Sequence, residues 1–167
     1  MPGFLQSKIA PCLLLVAFTG LFPGLNVASE SAVQVNVLNF VQAATAGKLE
    51  QIGRLGGGIN QWKHNRVPTP LDQQRVARMN RDTLYSSAGI DISNGASFWL
   101  PDAGERYLSA TVINENHYIN KIFHGPGEHR LTVEEFDTPY VLLTVRILVN
   151  ATDPGDIKKA NDLQDLL

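Results

Sequence analysis

Apolar residues recur with a helical period near the N-terminal third and with a strand period further on. In Val37–Leu55, Leu38, Val41, Thr45, Leu49 and Ile52 fall at three- and four-residue steps, which predicts a helix with one apolar face. Gly47 weakens that helix by about 1 kcal/mol relative to alanine. Gly56-Gly57-Gly58 ends it, because glycine takes the positive φ of a helix stop. An irregular stretch with Pro68 and Pro70 follows, and strand signals begin at Arg78.

Arg106–Asn114 alternates, with Leu108, Ala110 and Val112 on one side and Tyr107, Ser109, Thr111 and Ile113 on the other. His117–His124 reads as a strand. Gly125-Pro126-Gly127 then turns the chain into Glu128–Val133, predicting a hairpin. Val141–Val149 is the strongest strand, with Val141, Leu143, Val145, Ile147 and Val149 on one face. Asp153 before Pro154 predicts an N-cap, and Ile157, Ala160, Leu163 and Leu167 form the apolar stripe of a closing helix. The fold class expected is α+β and β-rich: an antiparallel sheet or sandwich-like meander between an N-terminal helix and a short C-terminal helix.

Residues 1–29 follow a different pattern. They carry one charge, Lys8, and an apolar run, Ile9–Leu25, broken by Pro11, Gly20, Pro23 and Gly24. A spanning helix needs about 20 apolar residues without such breaks. The small residues of Val27-Ala28-Ser29 place signal-peptide cleavage near Ser29; a retained anchor is the alternative. The expected organisation is a signal peptide, 1–29, and one domain, 30–167. Location is periplasmic or secreted, with no membrane span after removal. Cleavage also removes Cys12, leaving no thiol nucleophile or cysteine ligand.

Charge narrows the function classes. The chain carries −2 overall, and losing Lys8 makes the exported form −3, so a nucleic-acid partner is not expected. The exception is Arg54–Arg81, where Arg54, Lys63, Arg66, Arg75, Arg78 and Arg81 face only Asp72, a local +5. Arginine forks match carboxylate and phosphate oxygens, so this segment suits a small anionic ligand. The competing reading pairs these residues with acids elsewhere in the fold.

Several chemistries fail on spacing. His117 and His124 are seven apart and would point to opposite faces of a strand. His124 and His129 could meet across the hairpin, but two imidazoles are an incomplete metal site. Gly95-Ala96-Ser97 is half a nucleophile elbow and reads as a turn. Gly56–Gly58 lacks the lysine and hydroxyl residue of a phosphate loop. Glu134, Glu135 and Asp137 read as a solvated turn. No metal and no cofactor are implied.

The run Arg78-Met79-Asn80-Arg81-Asp82-Thr83-Leu84-Tyr85-Ser86-Ser87 has ordered flanks. Upstream are Gly57–Asn60, His64-Asn65-Arg66 and Pro68–Asp72; downstream are Leu100–Gly104, Arg106-Tyr107, Val112–Tyr118, Arg146, Thr152-Asp153-Pro154 and Leu163–Asp165. Together they resemble the family called domain of unknown function 1254. The resemblance implies an exported bacterial protein with a β-rich domain and no settled activity. It also implies that many relatives continue into a second β-rich domain, domain of unknown function 1214. Ending at Leu167, the chain is expected to be a short member, one half of a split pair, or a truncated form. The partner expected is then a second copy or a chain resembling the second domain.

Two functional readings follow. The first is a non-catalytic ligand- or partner-binding domain, with Arg78, Asn80, Arg81, Asp82 and Tyr85 as ligand residues. The second is a metal-free hydrolase in which His117 is general base, Arg81 steadies an anion and Tyr85 assists. Each residue also has a structural role open to it: Asn80 and Asp82 in a turn, Tyr85 in the core, His117 at a strand end. Gathering of Arg81, Tyr85 and His117 would favour the enzyme; their separation would favour binding.

Overall fold

The computed structural model describes residues 33–74 and 76–167, so the proposed leader and Arg75 lie outside the described residues. Helix α1 spans Phe40–Gly56, beginning three residues later than the apolar pattern. Asparagine chemistry sets that start. The Asn39 carboxamide oxygen accepts from Asn36 N at 2.7 Å, and that of Asn36 from Leu38 N at 2.8 Å, holding a turn in place of helix. Leu38 and Val41 are exposed, at 89% and 47%, and Thr45, Leu49, Ile52 and Gly53 carry the buried stripe. The glycine stop is present: Gly57 has φ 95° and its N–H bonds Gly53 O.

Seven strands follow: β1 Lys63–His64, β2 Thr83–Asp91, β3 Ala96–Leu100, β4 Leu108–Asn114, β5 Ile119–Phe123, β6 Gly127–Leu131 and β7 Tyr140–Leu148. Two short helices complete the chain, α2 Val133–Phe136 and α3 Pro154–Gln164. The class is α+β and β-rich, with antiparallel sheets of five and two strands. The large sheet runs β1-β2-β7-β4-β5, and β3 pairs with β6 in the small one. The strand order departs from a sequential meander, because β7 inserts between β2 and β4 as the central strand.

The expected hairpin across Gly125–Gly127 does not form. β5 pairs with β4, and β6 leaves to pair with β3, Phe98 opposite His129. Gly125 and Gly127 both have positive φ, 88° and 118°, and the double turn carries the chain between sheets instead of back along β5. Ser97, expected in a turn, lies on β3 opposite Arg130.

Strand alternation decides which side is core. Val141, Leu143, Val145 and Ile147 of β7 are fully buried, beside Leu84 and Ala88 of β2 and Ala110 and Val112 of β4. Phe98, Leu100, Leu131 and Phe136 cover them, with Ala160 of α3. Asp153 caps α3 as expected: its Oδ1 accepts from Gly155 N at 2.8 Å, with Pro154 at the first helical position. On the opposite face α1 packs Leu49 and Ile52 onto Leu142 and Ile113. Gly89 permits that approach, since a Cβ there would stand 3.3 Å from Ile59 and 3.4 Å from Leu49. Among the described residues, no helix is long and apolar enough to cross a membrane.

Candidate functional site

The segment entering β2 is built around Asn80. Its side-chain oxygen accepts from Asp82 N at 2.8 Å, a local turn that starts the strand. Its amide nitrogen donates to Tyr85 Oη at 3.0 Å and Thr83 Oγ1 at 3.1 Å. Asn80 thus fixes the Tyr85 hydroxyl, which borders a cleft of about 70 Å³ between residues 65–69 and 79–85. Asn65, one residue past β1, closes the cleft from the other side, its N–H bonding Tyr85 O at 2.8 Å. Arg78 stands at the head of the segment with φ 57°, a left-handed conformation costing a non-glycine residue roughly 1–3 kcal/mol.

The basic segment is mostly unneutralised. Arg66 pairs with Asp165 at 2.6 Å and donates to Asn161 O at 3.1 Å, tying the 65–69 loop to α3. Among the described residues, Arg54, Lys63, Arg78 and Arg81 form no ion pair. The Arg81 Nε is shielded from water and has no hydrogen-bond partner. Asp82 is exposed, and its carbonyl accepts from Val149 N, extending the β2–β7 ladder. Internal pairing therefore accounts for Arg66 alone among these five.

His117 is elsewhere. It sits in the β4–β5 turn with φ 67°, its Nδ1 3.0 Å from Thr45 Oγ1 of α1. Asn114, three residues earlier, opposes Val141, whereas Tyr85 opposes Arg146. Five strand residues separate those positions on β7, about 17 Å at the usual rise. His117 and Tyr85 thus belong to opposite ends of the sheet. His124 packs by Tyr107, and His129 by Phe98 and Phe123. His117 and His124 both lie outside β5, which runs Ile119–Phe123, so they do not share a strand as expected. No group of three or more potential metal ligands gathers among the described residues.

Two arrangements escaped the sequence pattern. His64 Nδ1 lies 2.8 Å from Ser86 Oγ, and Gln164 Nε2 donates to the same oxygen at 3.0 Å. This resembles a serine–histidine pair, but Ser86 is completely buried and no substrate reaches it. Burial and then Arg66 hold the His64 pKa below its ordinary value. The second is Arg146, whose guanidinium lies 5.6 Å from the Tyr85 ring centre. Its signal was its place at an outward position of the most regular strand.

A wider hollow of about 600 Å³ lies where β7 leads to α3. Asp82 lines it, and so do Asp153, which caps α3, and the paired Arg106 and Asp156. Arg106 grips Asp156 with both terminal nitrogens, and Asn150 N donates to the same carboxylate at 2.7 Å. Those bonds, Arg106 first, hold the Asp156 carboxyl far below the usual range. The smaller cleft is lined by polar and apolar residues with no ion pair among them, and Arg78 and Arg81 adjoin its wall in sequence without lining it.

Residues 59–119 match the family model described as Protein of unknown function (DUF1254). The DUF1254 match contains Asn80–Tyr85 and His117 and four whole strands, β1 to β4, but neither α1 nor β7. The central strand of the sheet thus comes from outside the matched segment. The crystal structure of the VPA0106 protein from Vibrio parahaemolyticus is similar, with a TM-score of 0.56 at 18% identity over 75% of this chain. That likeness is one of fold. The chain spans 33% of that protein's length. No curated protein matches the chain.

Proposed function

We propose that this chain is an exported β-rich domain that binds a small anionic ligand at the cleft before β2. The observation that carries the reading is the Tyr85 hydroxyl, held by Asn80 at the cleft wall, on a segment whose Arg78 and Arg81 adjoin that wall in sequence and lack carboxylate partners among the described residues. A water's share of liquid is about 30 Å³. The cleft, at about 70 Å³, therefore takes an end group rather than a whole metabolite. Binding is favoured over turnover because His117, the base of the hydrolase reading, belongs to the other end of the sheet. Export rests on the pattern of residues 1–29. Intact-mass measurement on cell-envelope protein should show loss of about 29 residues.

The test is calorimetric titration of the full chain with acetate, succinate and citrate. Arg81→Gln should weaken binding roughly tenfold, the scale of one charge-assisted hydrogen bond, and Tyr85→Phe by less. Equal affinity in wild type, Arg81→Gln and Tyr85→Phe would overturn the reading. A partner-binding role is favoured by one separate observation: Val37, Leu38, Phe40, Tyr118 and Ile119 are all more than half exposed. A second copy of the chain is the partner proposed there.

A further inference from the structure

The β-ladder register brings two rows of polar residues side by side on the sheet face opposite the core. In one row Lys63 opposes Ser87, Ser87 opposes Thr144, and Thr144 opposes Thr111. In the next, Tyr85 opposes Arg146 and Arg146 opposes Ser109. Alternation puts all of these on one face, since their neighbours Ser86, Val145 and Ala110 point into the core. The row beyond, Gly89–Leu142–Ile113, is apolar and covered by α1. The polar rows begin one ladder step past that cover.

Neither row holds an acid. Among the described residues no carboxylate lies within 4.0 Å of Lys63 or Arg146. Among the described residues Lys63 Nζ donates to the neutral Asn65 carboxamide oxygen alone, at 3.0 Å. Arg146 is exposed and leans on the Tyr85 ring, which supplies no oxygen acceptor to its N–H groups. Ser109 and Thr111 are buried, so the solvent-facing part of the two rows is Lys63, Ser87, Thr144, Tyr85 and Arg146. Here the register sets two cations beside the Ser87 and Thr144 hydroxyls, which lie 3.4 Å apart, while the Tyr85 hydroxyl is turned to the cleft.

We propose that this face is a second binding site, in which Arg146 and Lys63 hold the oxyanion of a small molecule and the strand hydroxyls floor it. The occupant is fixed by charge: a phosphoryl or carboxylate group presents the acceptor oxygens that this donor set lacks, and the arginine fork matches two of them. The site does not depend on occupancy of the cleft before β2, because Arg78, Asn80 and Arg81 take no part in either row. Tyr85 joins the two, with its hydroxyl turned to the cleft and its ring under Arg146.

The test titrates the full chain separately with inorganic phosphate and with succinate, against chloride at matched ionic strength, by heteronuclear NMR. Saturable shifts should map to Ser87, Thr144 and Arg146. Arg146→Gln should weaken binding at these positions roughly tenfold and Lys63→Gln less, while Glu128→Gln, on the separate two-stranded sheet, leaves it unchanged. Arg146→Lys keeps the charge and loses the fork, so it also weakens binding and serves if the glutamine variant fails to fold. Binding of phosphate alone or succinate alone supports the site and names its oxyanion. Shifts equal to those with chloride overturn it, as does affinity unchanged in the Arg146 and Lys63 variants. Shifts confined to 79–85 and unchanged in Arg146→Gln overturn this site and leave the cleft standing.

Discussion

At the scale of single residues, the Ser86 hydroxyl decides the state of His64. Gln164 donates to its oxygen, so the hydroxyl proton is free to donate to His64 Nδ1, and that requires a neutral ring. Burial, then the Arg66 charge, lowers the folded-state pKa below 6.5. The unfolded chain therefore binds the proton more readily. Stability is complete above pH about 6.5, declines as pH falls through that value, and levels off below the folded pKa. Urea midpoints between pH 5 and 8 should show this fall in wild type and lose it in His64→Gln; equal slopes would contradict the assignment. Asp153 was legible because a cap is a local signal, written in Asp-Pro. Gln164 was not: a glutamine in a helix reads as solvated. Its burial comes from the carbonyls of Asn65 and Tyr85, which it reaches from about 80 and 100 residues away in sequence.

At the scale of elements, alternation identified β7 and its buried face, and that face now has a testable weight. Leu143 is fully buried at the centre of the five-stranded sheet, and Leu143→Ala should cost about 2–5 kcal/mol in chemical denaturation. Asp153→Ala, which removes only the cap of α3, should cost about 1 kcal/mol. A reversed order would mean that α3, not β7, organises the core. Pairing was less legible than the strands themselves. A glycine–proline–glycine turn permits a hairpin, but whether β6 returns to β5 depends on which edge offers apolar contact. β6 pairs its backbone with β3 and keeps a ring contact, His129 on Phe123, to β5. The candidate site divided in the same way. Asn80, Thr83 and Tyr85 are close in sequence and close in space. His117 was grouped with them on chemistry alone, and β7, inserted between β2 and β4, sets it at the other end of the sheet.

At the scale of the molecule, one end of the sheet is left unfinished by its own residues. The Gln42–Asn116 and Thr45–His117 contacts bring the start of α1 to the β4–β5 turn. There Val37, Leu38, Phe40 and Val41 are exposed, together with Tyr118, Ile119 and Ile122 of β5 and the turn before it. β5 is also an edge strand of the five-stranded sheet. Edges are usually blunted by an outward lysine. Lys121 is the residue placed to do that, but its ammonium is drawn back to Glu135 and over the Phe123 ring. Apolar side chains beside an edge so weakly guarded favour pairing with a second copy, and a stable contact buries about 800 Å² per partner. Sedimentation velocity of the full chain at micromolar concentration should show reversible dimers. Ile122→Lys and Phe40→Ser, both at exposed positions, should return it to monomer with the melting temperature of the monomeric fold unchanged. A wild-type chain that stays monomeric across that range, with dye binding no higher than an ordinary globular control, would show that this end of the sheet needs no cover.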